Sequence, residues 1–83
     1  MHFVYIAQSL KDLGYYVGCT TDVERRLFEH NSGKTQSLKN RRPLKIVYTE
    51  KYNNAEVAYS REKRIKAYKG GEAFQKLIHG GFA

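Results

Sequence analysis

The alternation of hydrophobic and polar residues along the chain predicts three strands. Residues 2–8 are apolar on both faces, as in the central strand of a sheet. Residues 11–14 have the composition of a turn, and residues 15–19 that of a returning strand, so the two predicted strands form a hairpin. A third strand is predicted from Leu44 to Tyr52. These segments are expected to form one small antiparallel sheet.

Capping and breaking residues predict three helices around this sheet. Residue 21 or 22 can cap the first helix, which runs to about residue 31 and ends at Asn31-Ser32-Gly33. Asn53 and Glu56 have the spacing of a capping box and open a second helix that runs to about Lys69. A short last helix is predicted for residues 72–78. The order ββαβαα predicts an α+β fold, a three-stranded antiparallel sheet flanked by helices.

Composition limits the class of protein. Eighty-three residues are expected to form a single domain, residues 1–83, with a thin core. The hydrophobic content of 41% is that of a globular protein. A lone cysteine excludes an internal disulfide framework and suits a reducing, cytoplasmic environment. No signal peptide or membrane-spanning segment is expected, since residues 3–7 are too short an apolar run.

The net charge of +7 narrows the choice of partner. Basic residues concentrate between Lys34 and Lys69, and a dense positive field attracts polyanions such as nucleic acids. Charge alone leaves open a merely soluble surface or contact with an anionic membrane. It indicates nothing about chemistry.

A carboxylate interrupts the predicted apolar face of the second helix. Five residues at helical spacing form the stripe expected to face the sheet: Ala55, Ala58, Tyr59, Ile65 and Lys66. Glu62 falls in the middle of this stripe. A carboxylate there requires a basic partner, strong hydrogen-bond donors or a metal ion. Spacing alone leaves open an ion pair with an arginine of the sheet or of a helix.

The first helix shows a weaker version of the same pattern. Arg26 and His30 flank its apolar stripe on one side, whereas Arg25 and Glu29 are expected to point toward solvent. The first pair can line a site. The alternative is an edge arginine with a buried stem and a histidine stabilised by the helix dipole.

Two tyrosines can meet on the hairpin. If Tyr5 pairs with Tyr16 or with Gly18, then Tyr5 and Tyr16 share one face of the sheet. Their hydroxyls can then form hydrogen bonds or accept a proton. The alternative is the general preference of strands for tyrosine. Gly18 would allow a neighbour to approach the backbone closely, or a bulge at the end of the strand.

Taken in order, these motifs resemble a known family. The segments Phe3-Val4-Tyr5 and Tyr16-Val17-Gly18, followed by Arg26 and then by Glu62 on a later helix, resemble the GIY-YIG nuclease superfamily. The segment from Tyr16 to Lys34 is similar to small single-domain members that are like the N-terminal nuclease domain of the bacterial excision-repair endonuclease. The likeness covers about residues 2–78.

The resemblance implies a metal-dependent DNA endonuclease that hydrolyses phosphodiester bonds in repair or recombination. It assigns Tyr5 and Tyr16 as the motif tyrosines, Arg26 as the catalytic arginine and His30 as a site histidine. It assigns Glu62 as the ligand of Mg²⁺ or Mn²⁺. Tyr5 or Tyr16 is expected to accept the proton of water, with its pKa lowered by Arg26 and the metal, and His30 either to relay or to take that proton.

Phosphate contacts without sequence preference are expected from the basic residues. The candidates are Lys34, Lys39, Arg41, Arg42, Arg61 and Lys66. Two features depart from the family: Phe3 replaces the first motif glycine, and Cys19 stands where the excision-repair nucleases have a lysine. No clear match exists for the asparagine that some homing nucleases place near the metal. The alternative functions are a DNA-binding module of the same fold without useful catalysis, and a protein-interaction scaffold.

Overall fold

The three predicted strands form one sheet in the computed structural model, which describes residues 1–79. The strands are β1 (His2–Ser9), β2 (Tyr15–Thr20) and β3 (Leu44–Tyr52). They pair antiparallel in the order β2-β1-β3. The central position of β1 explains why its residues are apolar on both faces. The predicted fold class and the order ββαβαα are confirmed.

Three α-helices cover the sheet: α1 (Val23–Asn31), α2 (Ala55–Ala67) and α3 (Glu72–Ile78). The carboxylate of Asp22 caps α1 by accepting a hydrogen bond from the backbone N–H of Arg25 at 3.1 Å.

The cap of α2 corrects the predicted capping box. The residue at the N-cap is Asn54, not Asn53, and its Oδ1 accepts hydrogen bonds from the backbone N–H groups of Glu56 and Val57 at 2.7 and 3.2 Å. The side chain that bonds two free N–H groups sets the start of the helix. The helix also ends at Ala67, before the predicted Lys69.

The basic segment between α1 and β3 contains a 3₁₀ helix (Gln36–Arg41). Its Leu38 is only 1% exposed and packs against the face of the sheet that carries Tyr5. One apolar side chain therefore anchors this segment to the core, between exposed basic residues.

The two faces of the sheet carry separate cores. On the side of α2 and α3, buried side chains of the sheet and helices pack together: Val4, Ile6, Val17, Ala58, Ile65 and Phe74. On the side of α1 and the 3₁₀ helix the buried set is smaller: Tyr5, Ala7, Leu38 and Leu44. Tyr5 is therefore buried within a thin layer on the second face.

The buried face of α2 is narrower than predicted. Ala58 and Ile65 are fully buried, but Tyr59 is 52% exposed and Lys66 is also exposed. Glu62 lies at the margin of this face, with 18% of its side chain exposed. A helix that packs against a twisted sheet buries only the residues nearest its line of contact.

A polar network that the sequence did not predict joins β3 to α2. The Glu50 carboxylate accepts hydrogen bonds from the Tyr48 and Tyr52 hydroxyls at 2.5 and 2.6 Å. Arg61 donates Nε and Nη2 to the same carboxylate at 2.8 and 2.9 Å. Burial alone would raise the pKa of Glu50, but the hydrogen bonds from Arg61, Tyr48 and Tyr52 outweigh it and lower this pKa to about 2. The carboxylate–arginine pair considered for Glu62 is therefore formed by Glu50.

None of the helices within residues 1–79 is long and apolar enough to cross a membrane.

Candidate active site

The pairing of β1 with β2 places the two motif tyrosines on one face. Tyr5 lies opposite Gly18, one of the two registers expected to bring Tyr5 and Tyr16 together, so this expectation is confirmed. The ring centroids of the two tyrosines are 6.3 Å apart. Gly18 permits this arrangement, because a Cβ at this position would lie 2.5 Å from the Tyr5 hydroxyl. The Tyr5 ring thus crosses directly over the backbone of β2.

His30 is held in place by both of its ring nitrogens. Its Nε2 lies 2.7 Å from the Tyr5 hydroxyl, and its Nδ1 lies 2.6 Å from the Thr35 hydroxyl. The ring is fully buried, and the edge of Tyr16 approaches it at a centroid distance of 5.3 Å. The last turn of α1 and the start of the 3₁₀ helix therefore fix this imidazole against the sheet.

Burial and, after it, the charge of Arg26 lower the pKa of His30. The ring is therefore neutral near pH 7, with one N–H and one unprotonated nitrogen. If the Tyr5 hydroxyl donates to Nε2, Nδ1–H donates to Thr35. In that tautomer, Nε2 is ready to receive the phenolic proton.

The structure also reverses the expected effect on the pKa of Tyr5. Burial and the neighbouring Tyr16 outweigh the lowering by Arg26, so the pKa of Tyr5 rises to about 12. Tyr5 is therefore a neutral phenol near pH 7. A tyrosinate at this position is not available as a preformed base.

Arg26 contacts a carboxylate that was expected to face solvent. Its Nη1 forms an ion pair with Glu29 Oε1 at 3.0 Å, one turn along α1. The side chains are 38% and 27% exposed, so the guanidinium remains open to a ligand. The prediction that Glu29 points away was wrong, since a residue three positions along a helix lies on the neighbouring surface.

Glu62 approaches the site from α2. One oxygen, Oε2, lies 2.8 Å from Lys66 Nζ. Its negative charge contributes, after burial, to the raised pKa of Cys19, and it is a minor contributor to the raised pKa of Tyr5. The carboxylate is thus within electrostatic reach of both β1 and β2.

The donor set around Glu62 fits a metal ion held in one particular way. No group of three or more His, Cys, Asp or Glu side chains within residues 1–79 can enclose a cation. Mg²⁺ commonly binds through one or two carboxylates, water and substrate phosphates. A single carboxylate with one oxygen engaged by lysine is compatible with that mode and not with an all-protein cage.

Cys19 lacks the positive charge of the lysine that the excision-repair nucleases have at this position. Burial, and then the charge of Glu62, raises the pKa of its thiol, so the side chain carries no charge near pH 7. Lys66 lines one cavity together with Tyr16, but its ammonium group is paired with Glu62.

The candidate DNA-contacting residues fall into two groups. Lys34, Lys39 and Arg42 are exposed around the 3₁₀ helix. The other three already pair with carboxylates of the protein: Arg41 with Asp12, Arg61 with Glu50 and Lys66 with Glu62. Arg61 has the most contacts with its partner and is only 24% exposed, so we assign it to the β3–α2 network and omit it from the DNA surface.

Thr35 was not identified from the sequence. It follows the end of α1 and contacts His30 across five positions. A helical spacing does not predict that contact, because Thr35 lies beyond the helix. The only available signal was its position at the start of the segment that returns over the sheet.

Comparisons with known proteins identify the family of this chain. Residues 1–72 match the family model described as the GIY-YIG catalytic domain. A UPF0213 protein of Haloquadratum walsbyi is 43% identical over 68 residues, which cover 81% of this chain and 75% of that protein. One from Listeria welshimeri is 42% identical over 77 residues, 92% of this chain and 74% of the relative. The solution NMR structure of a UPF0213 protein from Bacillus halodurans superposes with a TM-score of 0.59 at 34% identity, covering 94% of this chain and 82% of that one.

Proposed function

Since the chain belongs to the GIY-YIG family of nuclease domains, we propose that it is a divalent-metal-dependent endonuclease that hydrolyses DNA phosphodiester bonds. The observation that carries the proposal is the buried hydrogen bond between Tyr5 and His30, beside Arg26. These groups match three needs of phosphodiester hydrolysis: a proton acceptor, a base behind it and a fixed positive charge.

The Tyr5–His30 pair can accept the proton of water without forming a free tyrosinate. As water attacks phosphorus, its proton passes to the Tyr5 hydroxyl oxygen, and the phenolic proton passes to His30 Nε2 over the 2.7 Å hydrogen bond. Tyr5 ends the step neutral and His30 becomes an imidazolium. The Thr35 hydroxyl accepts the hydrogen bond from Nδ1–H before and after the transfer, and so holds the ring in place.

Arg26 is suited to bind the phosphate oxygens. Its ion pair with Glu29 uses Nη1 and leaves the other donors of the planar guanidinium for a second anion. Positive charge held in place before the reaction stabilises the negative charge that develops on the phosphate oxygens.

Glu62 would hold Mg²⁺ or Mn²⁺, which when bound supplies a positive charge for the leaving 3′ oxygen. Because Glu62 is a single carboxylate, we expect intrinsic metal affinity to be weak and DNA phosphate to complete the ligand set. Lys66, which pairs with Glu62 at 2.8 Å, would be able to contact the DNA if Glu62 held the metal instead.

The remaining phosphates would contact the exposed basic residues around the 3₁₀ helix, Lys34, Lys39 and Arg42. Contacts of this kind position the duplex and carry no sequence information. We therefore propose cleavage that depends on the shape of DNA rather than on its sequence, as repair and recombination substrates require.

The test is cleavage of plasmid, single-stranded, flap and branched DNA with Mg²⁺, Mn²⁺ or chelator. Cleavage should require the divalent ion, whereas DNA binding should persist in chelator. Glu62→Gln should abolish cleavage. Glu72→Gln is the matched control, since it removes another carboxylate–lysine pair of the same helical spacing, Glu72–Lys76 at 3.1 Å on α3. Undiminished cutting in excess chelator, with contaminating nucleases excluded, refutes the metal assignment.

A second candidate function is DNA binding without catalysis. The raised pKa of Tyr5 favours it, because this tyrosine cannot act as a base unless His30 takes its proton. Binding of all DNA forms with no cleavage under any metal would establish this alternative.

A further inference from the structure

A cavity of about 360 Å³ lies at the free edge of β2, next to the candidate active site. Residues of β2, α2 and the start of α3 line it; those that matter here are Tyr15, Tyr16, Val17, Lys66, Lys69 and Phe74. Tyr16 belongs both to this cavity and to the aromatic contacts with His30. Lys66, which also lines the cavity, pairs with Glu62. The cavity therefore borders the candidate active site at Tyr16 and at the Glu62–Lys66 pair.

Main-chain hydrogen-bonding groups face this edge. Ser9 N–H donates a hydrogen bond to Gly14 C=O at 2.8 Å. This bond shows which opposite residues of β1 and β2 exchange main-chain hydrogen bonds. In an antiparallel pair these residues alternate, so Ala7 bonds Tyr16 while the N–H and C=O groups of Tyr15 and Val17 point away from β1. No turn, loop or cap hydrogen bond among the described residues uses those groups. An edge of this kind is open to pairing with a ligand.

The walls of the cavity combine aromatic surface with positive charge. The rings of Tyr15 and Phe74 meet edge to face at a centroid distance of 5.1 Å. Lys69 and Lys66 both line the cavity, Lys66 with its ammonium group paired with Glu62, and Gly70 contributes no side chain. Single-stranded nucleic acids are bound by this combination, in which bases stack on aromatic rings and basic groups follow the backbone.

We propose that this cavity binds the base of an unpaired nucleotide adjacent to the scissile phosphate. A base within continuous duplex can reach it only by leaving the stack, which costs a few kcal/mol and is cheapest for a base already unpaired. The volume falls within the range of about 300–1,000 Å³ found for small-ligand sites. The preferred substrate is then DNA with a flap, a bulge or a single-stranded end.

The cavity should accept any of the four bases. The outward-facing groups of β2 are a main-chain donor and acceptor, and every base offers an aromatic face and polar edge atoms. The adjacency to a scissile phosphate rests on the proposed nuclease function, whereas the binding of an unpaired base does not.

Binding in chelator tests the inference without requiring cleavage. Oligonucleotides carry 2-aminopurine either in a flap or at the same position of a full duplex. We expect quenching of the flap probe alone, and affinity for flap DNA about tenfold above duplex, within what one stacked base contributes. Tyr15→Leu and Lys69→Gln should reduce both effects. Tyr59→Leu, at an exposed position of α2 that does not line the cavity, should change neither.

A crosslink locates the base independently of the variants' stability. A flap with 5-iodouracil at the unpaired position, irradiated with wild-type protein, should attach to the tryptic peptide of residues 12–25, which contains Tyr15 and Tyr16. Equal affinity for flap and duplex, or attachment only to other peptides, overturns the proposed cavity. If the protein prefers flap DNA but does not cleave it, the base-binding cavity is supported and the nuclease function is refuted. If the protein cleaves DNA without preferring flaps, the nuclease function is supported and the base-binding cavity is refuted.

Discussion

Two glutamates near α2 should respond in opposite ways to the same neutral replacement. Glu62 pairs with Lys66, whose side chain is 53% exposed, one turn along the helix. Pairs of this kind contribute roughly 0.3–0.5 kcal/mol to stability. Glu62→Gln should therefore leave the free energy of unfolding almost unchanged while abolishing metal-dependent cleavage.

Glu50→Gln removes the negative charge that pairs with Arg61. The carboxylate and guanidinium are only 14% and 24% exposed, and two tyrosine hydroxyls also donate to the carboxylate. Breaking a buried pair costs about 3–5 kcal/mol, and partial exposure reduces this to roughly 2–4 kcal/mol. Cleavage should persist at temperatures where the variant remains folded, because Glu50 lies in the β3–α2 network and not among the proposed catalytic residues.

Thermal unfolding followed by circular dichroism in chelator compares the two variants with wild type. In a domain of this size about 1 kcal/mol shifts the midpoint by roughly 4–8 °C. We expect a shift below about 4 °C for Glu62→Gln and a decrease of at least about 8 °C for Glu50→Gln. A decrease for Glu62→Gln that matches or exceeds the decrease for Glu50→Gln would show that Glu62 is a structural residue.

Acid provides a second measurement of the same difference. The pKa of Glu50 is about 2 in the folded protein, below its ordinary value of 4.5. Its contribution is therefore fully present above pH 4.5 and is lost as the pH falls toward 2. This contribution is at most about 3.4 kcal/mol, since a pKa difference of one corresponds to about 1.36 kcal/mol, and roughly 2 kcal/mol after screening. The gap between wild type and Glu50→Gln in urea unfolding should narrow over this range; a constant gap would contradict the lowered pKa.

Two further predictions concern the site and its charge. Gly18→Ala should reduce cleavage and cost about 1–3 kcal/mol, since its Cβ would overlap the Tyr5 ring, which His30 holds in place; wild-type activity with an unshifted midpoint would contradict the close contact. DNA affinity should fall steeply between 50 and 200 mM salt, with little dependence on sequence. A flat salt titration would show that the charge of +7 does not form the binding surface.

The strands and the tyrosine face could be predicted because both depend on local patterns. A strand that is apolar on both faces has to lie inside a sheet, and residues 2–8 met that condition. The parity of the hairpin register then decides which side chains share a face, so the proximity of Tyr5 and Tyr16 followed from either candidate register. Neither inference required knowledge of distant contacts.

The environment of each carboxylate could not be predicted in the same way. Glu62 and Glu50 are both flanked by polar or charged residues in the sequence, and only the packing of α2 against β3 decides which one meets Arg61. Tyr48, Glu50 and Tyr52 alternate along the third strand and therefore share one of its faces, but this spacing does not identify the arginine that joins them. The contacts between α2 and β3 depend on the rotation of α2 about its axis. The apolar stripe of α2 is interrupted by charged residues, so the sequence does not determine this rotation.

The direction of the pKa shift at Tyr5 depends on how deeply its side chain is buried. The spacing of residues in the sequence does not show this burial. Burial raises the pKa of Tyr5 and lowers that of His30, and both shifts favour the neutral phenol and the neutral imidazole. The pair therefore separates no charge until a ligand arrives. A bound phosphate anion stabilises an imidazolium, and it would make proton transfer from Tyr5 to His30 favourable only when DNA fills the site. Proton acceptance by this pair would thereby be coupled to substrate binding, which is how a buried tyrosine can serve a nuclease despite a pKa of about 12.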